Sequence, residues 1–427
     1  MNTLTVISDF DQEDFESKSS KEEIFFQKRI LIHCHPANMV RILPLLQGRA
    51  ESIFLSPFEI CDDFVKRVSE YLSFDYVVED KFVQSKNWRG EKKIIEGLTI
   101  SGFRNDVATR WILTTSGTTG TPKIVSHDFA SLARTVSKKN KYIWGLLYDP
   151  SKFAGIQVVL QAWLSGAKII VPSPNESFER KVEFLVKNNC TALSATPSLW
   201  RKILMTKAGG NLNLEQITIG GEVVDDQLLN VLKNKFPSSR IVHIYASTEA
   251  GVGFAVNDGK AGFPSAWLRE GYRDLKLSVS DEGKLLIFNL MRSQKYIGTD
   301  EEIAVQDGWI DTGDLVEIIG ERVFFRGRLN GSINVGGNKV SPEEVEEAIR
   351  EVPGILQVVV RGRKNSITGE LVEALVVIDK DMGTDDFFKR AIKDKCKKIF
   401  NNATHKIPAF ILITKDLNTN PSGKVVR

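Results

Sequence analysis

Hydrophobic positions in the first 110 residues alternate between two spacings. RILIHCH (29–35) and SIFLSP (52–57) are short apolar runs of strand type, and MVRILPLLQG (39–48) between them has helical spacing. The rhythm recurs. WILTTSGTTGTPKIVSH (111–127) predicts a strand running into a Gly/Thr/Ser loop, with a helix over 128–138. AGIQVVLQAWLSGAKIIVP (154–172) predicts an apolar helix, a glycine turn and a strand. Helix-then-strand units follow over 177–200 and 225–247. Repeated units of this kind predict an α/β layout with a layered, largely parallel sheet.

After about residue 255 the pattern changes to short strands with turns, in LKLSVS, KLLIFN and LVEIIGERVFFRG, which predicts a small β subdomain over about 255–328. Beyond Arg328 come a strand (SINVGG), a helix (SPEEVEEAIREV), strands LQVVVRGR and EALVVID, a basic helix FFKRAIKDKCKKIF and a last strand AFILIT. That is an α+β unit of domain length. The expected division is therefore an N-terminal lobe over 1–328 and a C-terminal domain over 329–427.

Composition narrows the function classes. The 427 residues are 42% hydrophobic and 26% charged, as in soluble globular proteins, and the net charge of +3 gives no general pull toward nucleic acid or an anionic membrane. The apolar runs are too short to span a bilayer. The acidic opening MNTLTVISDFDQEDFE has no basic segment and no apolar core, so it is not a secretory signal. Four scattered cysteines (Cys34, Cys61, Cys190, Cys396) without CxxC spacing read as reduced thiols of a cytoplasmic protein. His33, Cys34 and His35 alternate along a run read as a strand, which favours a buried strand over a ligand set.

The chemistry-bearing segment is LTTSGTTGTPK (113–123). Gly117 and Gly120 let backbone amides approach an anion, Thr115, Ser116, Thr118 and Thr119 add hydroxyl donors, and Lys123 adds a positive charge. A position between a strand and a helix would favour anions further. It is not a Walker loop, because Pro122 parts Lys123 from the glycines.

TTSGTTGTPK resembles the signature phosphate loop of the ANL superfamily of adenylating enzymes, which includes acyl- and aryl-CoA synthetases, peptide-synthetase adenylation domains and luciferases. Further resembling stretches follow in the family's order. Gly220-Gly221-Glu222 looks like the family's adenine-side Gly-Gly-Glu. YASTEAG (245–251) is similar to its Tyr-Gly-x-Thr-Glu motif, with Ala246 in place of the usual Gly. The resemblance implies that Tyr245 stacks on adenine, that Ala246, Ser247 and Thr248 line the nucleotide with Thr248 on phosphate, and that Glu249 helps hold Mg²⁺. GWIDTGDL (308–315) implies Asp314 on the ribose hydroxyls, and Arg328 implies a ribose or phosphate contact. Asn330 falls at the hinge, where the family usually has Asp or Lys. Gly336 and Gly337 imply access for a pantetheine arm, and equally a tight turn before a helix capped by Ser341, with Glu344 three residues on. NPSGK (420–424) resembles the last family motif, whose lysine, here Lys424, is the adenylation catalyst.

What the resemblance implies is a large α/β lobe with a small β region and a mobile α+β C-terminal domain. The implied activity joins a carboxylic acid to a thiol with MgATP through acyl-AMP, with coenzyme A as default acceptor and a carrier-protein pantetheine as the alternative. A non-catalytic nucleotide-binding regulator and an unrelated ATPase that releases ADP are the competing classes. Neither nucleic acid nor membrane is expected as a partner, and the acid and the oligomeric state stay open. Two departures from the family stand out. The stretch before the phosphate loop is short, so peripheral N-terminal elements are expected to be missing. No histidine lies within 148–155, where Lys152 and Phe153 fall instead. Phe153, Gln157, Trp163 and residues 251–254 are acid-pocket candidates, although a helix this apolar is more often core. His243 is assigned to the core.

Overall fold

The computed structural model describes residues 4–8, 25–58, 68, 72–80, 83–86, 92–95, 107–114, 124–137, 141–247, 251–288, 296–297, 305–306, 308–328, 331–401, 403–420 and 423–425. The alternating segments build two mixed sheets. The seven-stranded sheet runs in the order Thr5–Ser8, Lys168–Val171, Ile143–Gly145, Ala192–Ala195, Gln216–Gly220, Arg240–Ser247, Gly251–Val256. All neighbours in it are parallel except the last pair. Parallel strands need long crossovers, and the helices Phe153–Ser165, Phe178–Lys187, Pro197–Met205 and Asp226–Lys235 supply them.

Each helix begins and ends where its sequence dictates. Ser177, Thr196 and Asp225 are N-caps whose side chains accept from the amide three residues on. Helix Phe153–Ser165 is stopped by Gly166 in a left-handed conformation, φ 66°. It is apolar nearly all round because it is buried nearly all round, with Val159, Leu160 and Trp163 in the main core. Phe153 and Trp163, proposed as pocket residues, belong to that core, and Gln157 Nε2 donates to the Leu132 carbonyl. His243 is buried and bonds the Lys260 carbonyl through Nε2 at 2.9 Å.

The eight-stranded sheet corrects two expectations. Its parallel centre holds Arg29–Ile32, Ser52–Leu55, Tyr76–Val78 and Arg110–Thr114. The strand expected over 29–35 stops at Ile32, because Pro36 starts a helix, Pro36–Leu46, and His35 becomes its cap, accepting from Ala37 N at 3.2 Å. The phosphate loop was expected to lead into a helix. Instead Arg110–Thr114 pairs antiparallel with Ile124–Asp128, with Thr114 opposite Ile124, so residues 115–123 join two strands. The helix after them, Phe129–Ala133, is shorter than expected and starts on an Asp128 cap. The described residue that follows the loop, Ile124, thus begins a strand rather than a helix.

Strands Phe263–Pro264, Lys276–Val279, Lys284–Phe288, Val305–Gln306, Trp309–Ile319 and Arg322–Arg328 form an antiparallel sheet around Phe254, Phe263, Leu285, Ile287 and Val323. The C-terminal domain has its own core. Strands Ile355–Asn365, Gly369–Ile378 and Phe410–Ile413 pack helices Pro342–Arg350 and Asp385–Phe400 through Val345, Ile349, Val360, Val376, Phe388 and Ile392. Fully burying each such side chain stabilises by about 1.5–3 kcal/mol before entropy is counted. Ser341 caps the first of these helices and accepts from Glu344 N, as expected. Among the described residues no helix is long and apolar enough to cross a membrane.

Candidate active site

The C-terminal tail turns back on itself before it meets the large lobe. Asn420 N donates to the Lys424 carbonyl at 2.8 Å, Lys424 N donates to Asn420 Oδ1 at 3.0 Å, and Thr419 bridges Val425. This turn lands on the start of helix Pro197–Met205. The Thr196 hydroxyl donates to the Gly423 carbonyl. Glu222 accepts from Ser198 N with one oxygen and from Val425 N with the other, at 2.9 and 3.0 Å. A Cβ placed on Gly221, at φ +84°, would stand 3.4 Å from Lys424 Cε. Gly221, Glu222 and Lys424 thus come together, although Lys424 lies 202 positions beyond Glu222 in sequence.

Further contacts fix the domain against this lobe. Lys202 pairs with Asp416 at 2.5 Å, and Gln357 Nε2 reaches the Ser198 carbonyl at 3.4 Å. Asp225 lies between Arg201, a bonded partner, and Arg350, 3.9 Å away. Burial alone pushes the Asp225 carboxyl up, but the two guanidinium groups outweigh it and hold the group below its ordinary value.

A second cluster is built where strand Arg240–Ser247 meets the antiparallel sheet. The Tyr245 hydroxyl donates to Asp314 Oδ2 at 2.5 Å, and Arg328 Nε donates to Asp314 Oδ1 at 2.9 Å. Asp314 and Arg328 are register partners on adjacent strands, which explains their meeting. Tyr245 stacks with Phe254 and Phe325, at centroid distances of 5.2 and 5.1 Å and interplanar angles of 15° and 6°. Burial first, then the Asp314 charge, pushes the Tyr245 phenol well above its ordinary value, so it stays a proton donor. A bulge between Tyr245 and Ala246 breaks the register with Gly251–Val256 at the motif itself, leaving Ser247 opposite Gly251. Gly220 pairs with Ile244, which sets Gly221 and Tyr245 at the ends of neighbouring strands.

Other expected site residues lie elsewhere or outside the description. Thr115, Ser116, Gly117, Thr118, Thr119, Gly120, Lys123, Thr248, Glu249 and Asn330 fall outside the described residues. Gly336 and Gly337 form the turn between strands Ile333–Val335 and Asn338–Val340; their amides bond Thr368 O and Asn334 Oδ1, within the C-terminal sheet. Among the described residues no three His, Cys, Asp or Glu side chains gather as a metal site. A single carboxylate with nucleotide phosphates is a common way to hold Mg²⁺, which leaves Glu249 compatible with that role.

Two features were not singled out in the sequence. One is the pair of amides held by Glu222. The other is Lys152, buried at the foot of the phosphate loop, where its Nζ donates to Thr114 Oγ1 at 2.6 Å. Burial lowers the Lys152 ammonium below its ordinary value, and Asp149 opposes that. In the sequence Lys152 stood out only as one of two residues, with Phe153, that fall where a histidine over 148–155 is missing.

Models of known families match this chain twice, as AMP-binding enzyme over residues 77–270 and as the AMP-binding enzyme C-terminal domain over 344–424, together more than half of it. The chain belongs to the ANL superfamily of adenylate-forming enzymes. Within this superfamily it is similar to a 2-succinylbenzoate–CoA ligase of Listeria innocua, 22% identical over 393 residues, covering 86% of this chain and 76% of the relative. It is also similar to the long-chain-fatty-acid–CoA ligase FadD13 of Mycobacterium tuberculosis, 25% identical over 340 residues, covering 74% and 66%. Two solved ANL structures share the fold. Klebsiella oxytoca NpsA in complex with 3-hydroxyanthranilyl-AMSN has a TM-score of 0.72 at 14% identity, covering 100% of this chain and 95% of that one. The o-succinylbenzoate CoA synthetase of Bacillus subtilis with its acyl-adenylate has 0.68 at 17%, covering 99% and 94%.

Proposed function

We propose that this ANL enzyme is an AMP-forming carboxylic acid–CoA ligase. The observation that carries the proposal is the placement of Lys424 beside Gly221, just past the end of strand Gln216–Gly220 and next to the Tyr245–Asp314–Arg328 cluster. In the first half-reaction an acid carboxylate oxygen bonds the α-phosphorus of ATP, and the bond from that phosphorus to the bridging oxygen breaks, releasing pyrophosphate. Negative charge grows at the α-phosphate, and the Lys424 ammonium is the group set to stabilise it. Asp314 accepts one bond on each oxygen from Tyr245 and Arg328. A carboxylate has about four acceptor positions, so room is left for two ribose hydroxyls. Tyr245 already stacks with two phenylalanines, so adenine is proposed to lie against its remaining surface and the Gly221 backbone, with Ala246 and Ser247 alongside. Residues 115–123 and Thr248 are assigned to the phosphates. Mg²⁺ at Glu249 would supply additional charge neutralisation when bound.

In the second half-reaction a coenzyme A thiolate bonds the acyl carbon and AMP leaves with its oxygen. We assign the hinge to Asn330, between an N-terminal lobe over 1–328 and a C-terminal domain over 329–427. Rotation there would withdraw Lys424 and present Gly336–Gly337 to the pantetheine arm. Cys34, Cys190 and Cys396 are buried free thiols, which supports a cytoplasmic place of action. The test is a panel of carboxylic acids assayed for AMP, with and without coenzyme A, and with a pantetheine-loaded carrier protein in a parallel arm. Acid-dependent AMP release that coenzyme A accelerates is the expected result. ADP as product, or no acid-dependent AMP with any acid, overturns the proposal.

A further inference from the structure

We propose that Glu222 is a positioning residue whose carboxylate clasps the Lys424 turn to the large lobe and so sets how much of the enzyme stands ready for adenylation. The inference rests on the acid-activating function proposed above. It gives Glu222 a different task from the adenine contact that its motif implies.

The clasp is assembled at one helix end. Ser198 is the second residue of helix Pro197–Met205, where backbone amides have no partner within the helix. Glu222 Oε2 accepts from that amide at 2.9 Å, and Oε1 accepts from Val425 N at 3.0 Å. On the other side of Lys424, the Gly423 carbonyl accepts from Thr196, the cap of the same helix. Gly423 lies flat on this surface: a Cβ there would fall 2.4 Å from Leu199 Cδ1 and 3.1 Å from Tyr148, and φ is +72°. The residues before and after Lys424 are therefore both pinned, and its side chain projects toward Gly221. The two amides bonded by Glu222 belong to different domains, so these bonds form together only when the domains are docked this way.

The geometry also dictates the side chain. The two N–H donors reach different oxygens of one group, an arrangement that a carboxylate provides. Glutamine keeps the length but offers one oxygen, and its NH₂ would face a donor. Aspartate keeps both acceptors but is one methylene shorter.

The test compares the half-reactions in Glu222→Gln and Glu222→Asp. At saturating ATP, acid-dependent pyrophosphate exchange is expected to fall about tenfold or more in E222Q, the scale of one lost charge-assisted bond. E222D is expected to regain part of it. Thioester formation from preformed acyl-adenylate is expected to fall several-fold less. An equal loss in both half-reactions, exchange at the wild-type level, or a raised KM for ATP with kcat kept would each overturn the clasp. Deuterium uptake in the full chain gives an arm that needs no activity. Residues 419–425 are expected to exchange faster in E222Q, with helix Asp385–Phe400 as in the wild type. Unchanged uptake at 419–425 overturns the inference even if the ligase reaction is confirmed. Faster uptake in a protein that activates no acid leaves the clasp standing and removes only the proposed reaction.

Discussion

Lys424 Cε approaches to 3.4 Å of the point where a Gly221 side chain would begin, so the C-terminal lysine and the Gly-Gly-Glu turn form one surface. Replacing the lysine by alanine removes the cation assigned to the charge that grows at the α-phosphate. Lys424→Ala is expected to lower acid-dependent pyrophosphate exchange about 10²-fold or more. Full exchange activity in that variant would contradict the assignment.

Gly221→Ala tests the same surface from the other side. The new Cβ meets only ordinary contacts, 3.4 Å to Lys424 and 3.5 Å to Thr196 Cγ2, so the cost lies in the left-handed backbone. That is about 1–2 kcal/mol. A lower Tm with an exchange loss smaller than that of Lys424→Ala is expected, measured by thermal melts and the exchange assay.

Tyr245→Phe removes one donor to Asp314 and keeps the aromatic stack. The hydrogen bond is worth about 1.5–3 kcal/mol to a charged acceptor. If Asp314 holds the ribose, its placement loosens, and KM for ATP is expected to rise severalfold with little change in kcat. Steady-state kinetics over an ATP series decides this; an unchanged KM would separate the cluster from the nucleotide.

Asp225 gives a pH dependence. Its carboxyl is held below the ordinary value by Arg201 and Arg350, so the unfolded chain takes up its proton first as pH falls. The stabilisation is therefore full above about pH 4, the unfolded value, and is lost as pH drops through the lower folded value. Asp225→Asn keeps a competent helix cap but leaves half-buried Arg201 without its carboxylate, at a cost of up to about 3 kcal/mol. The Tm gap between wild type and variant is expected to be widest near pH 6 and to narrow below pH 4. A gap independent of pH would rule out the ion pairs as its source.

The sequence exposed some of these relationships and concealed others. The C-terminal domain was legible because PEEVEEAIR has one clean apolar face and its strands are rich in valine. The Tyr245, Asp314 and Arg328 positions were recognisable from motif resemblance alone. The end of strand Arg29–Ile32 was missed because His33, Cys34 and His35 continue an alternation that Pro36 then overrides. The hairpin around the phosphate loop was missed for a similar reason. Ile124 to Asp128 is too short a run to separate strand from helix, and its pairing with Arg110–Thr114 decides. The task of Glu222 could not be read, because its partners are main-chain amides, one of them 203 residues away, and an amide has no letter in a sequence.

The tail that bears Lys424 is closed by its own hydrogen bonds, Asn420 to Lys424 in both directions and Gly423 to Asn420. Part of its shape is thus held within the tail itself, beside the bonds it makes to the lobe. If the domain rotates at Asn330 as proposed, a lysine delivered on such a hook loses little chain freedom on each return. Repeated return to the same spot then depends on the landing place more than on refolding the tail.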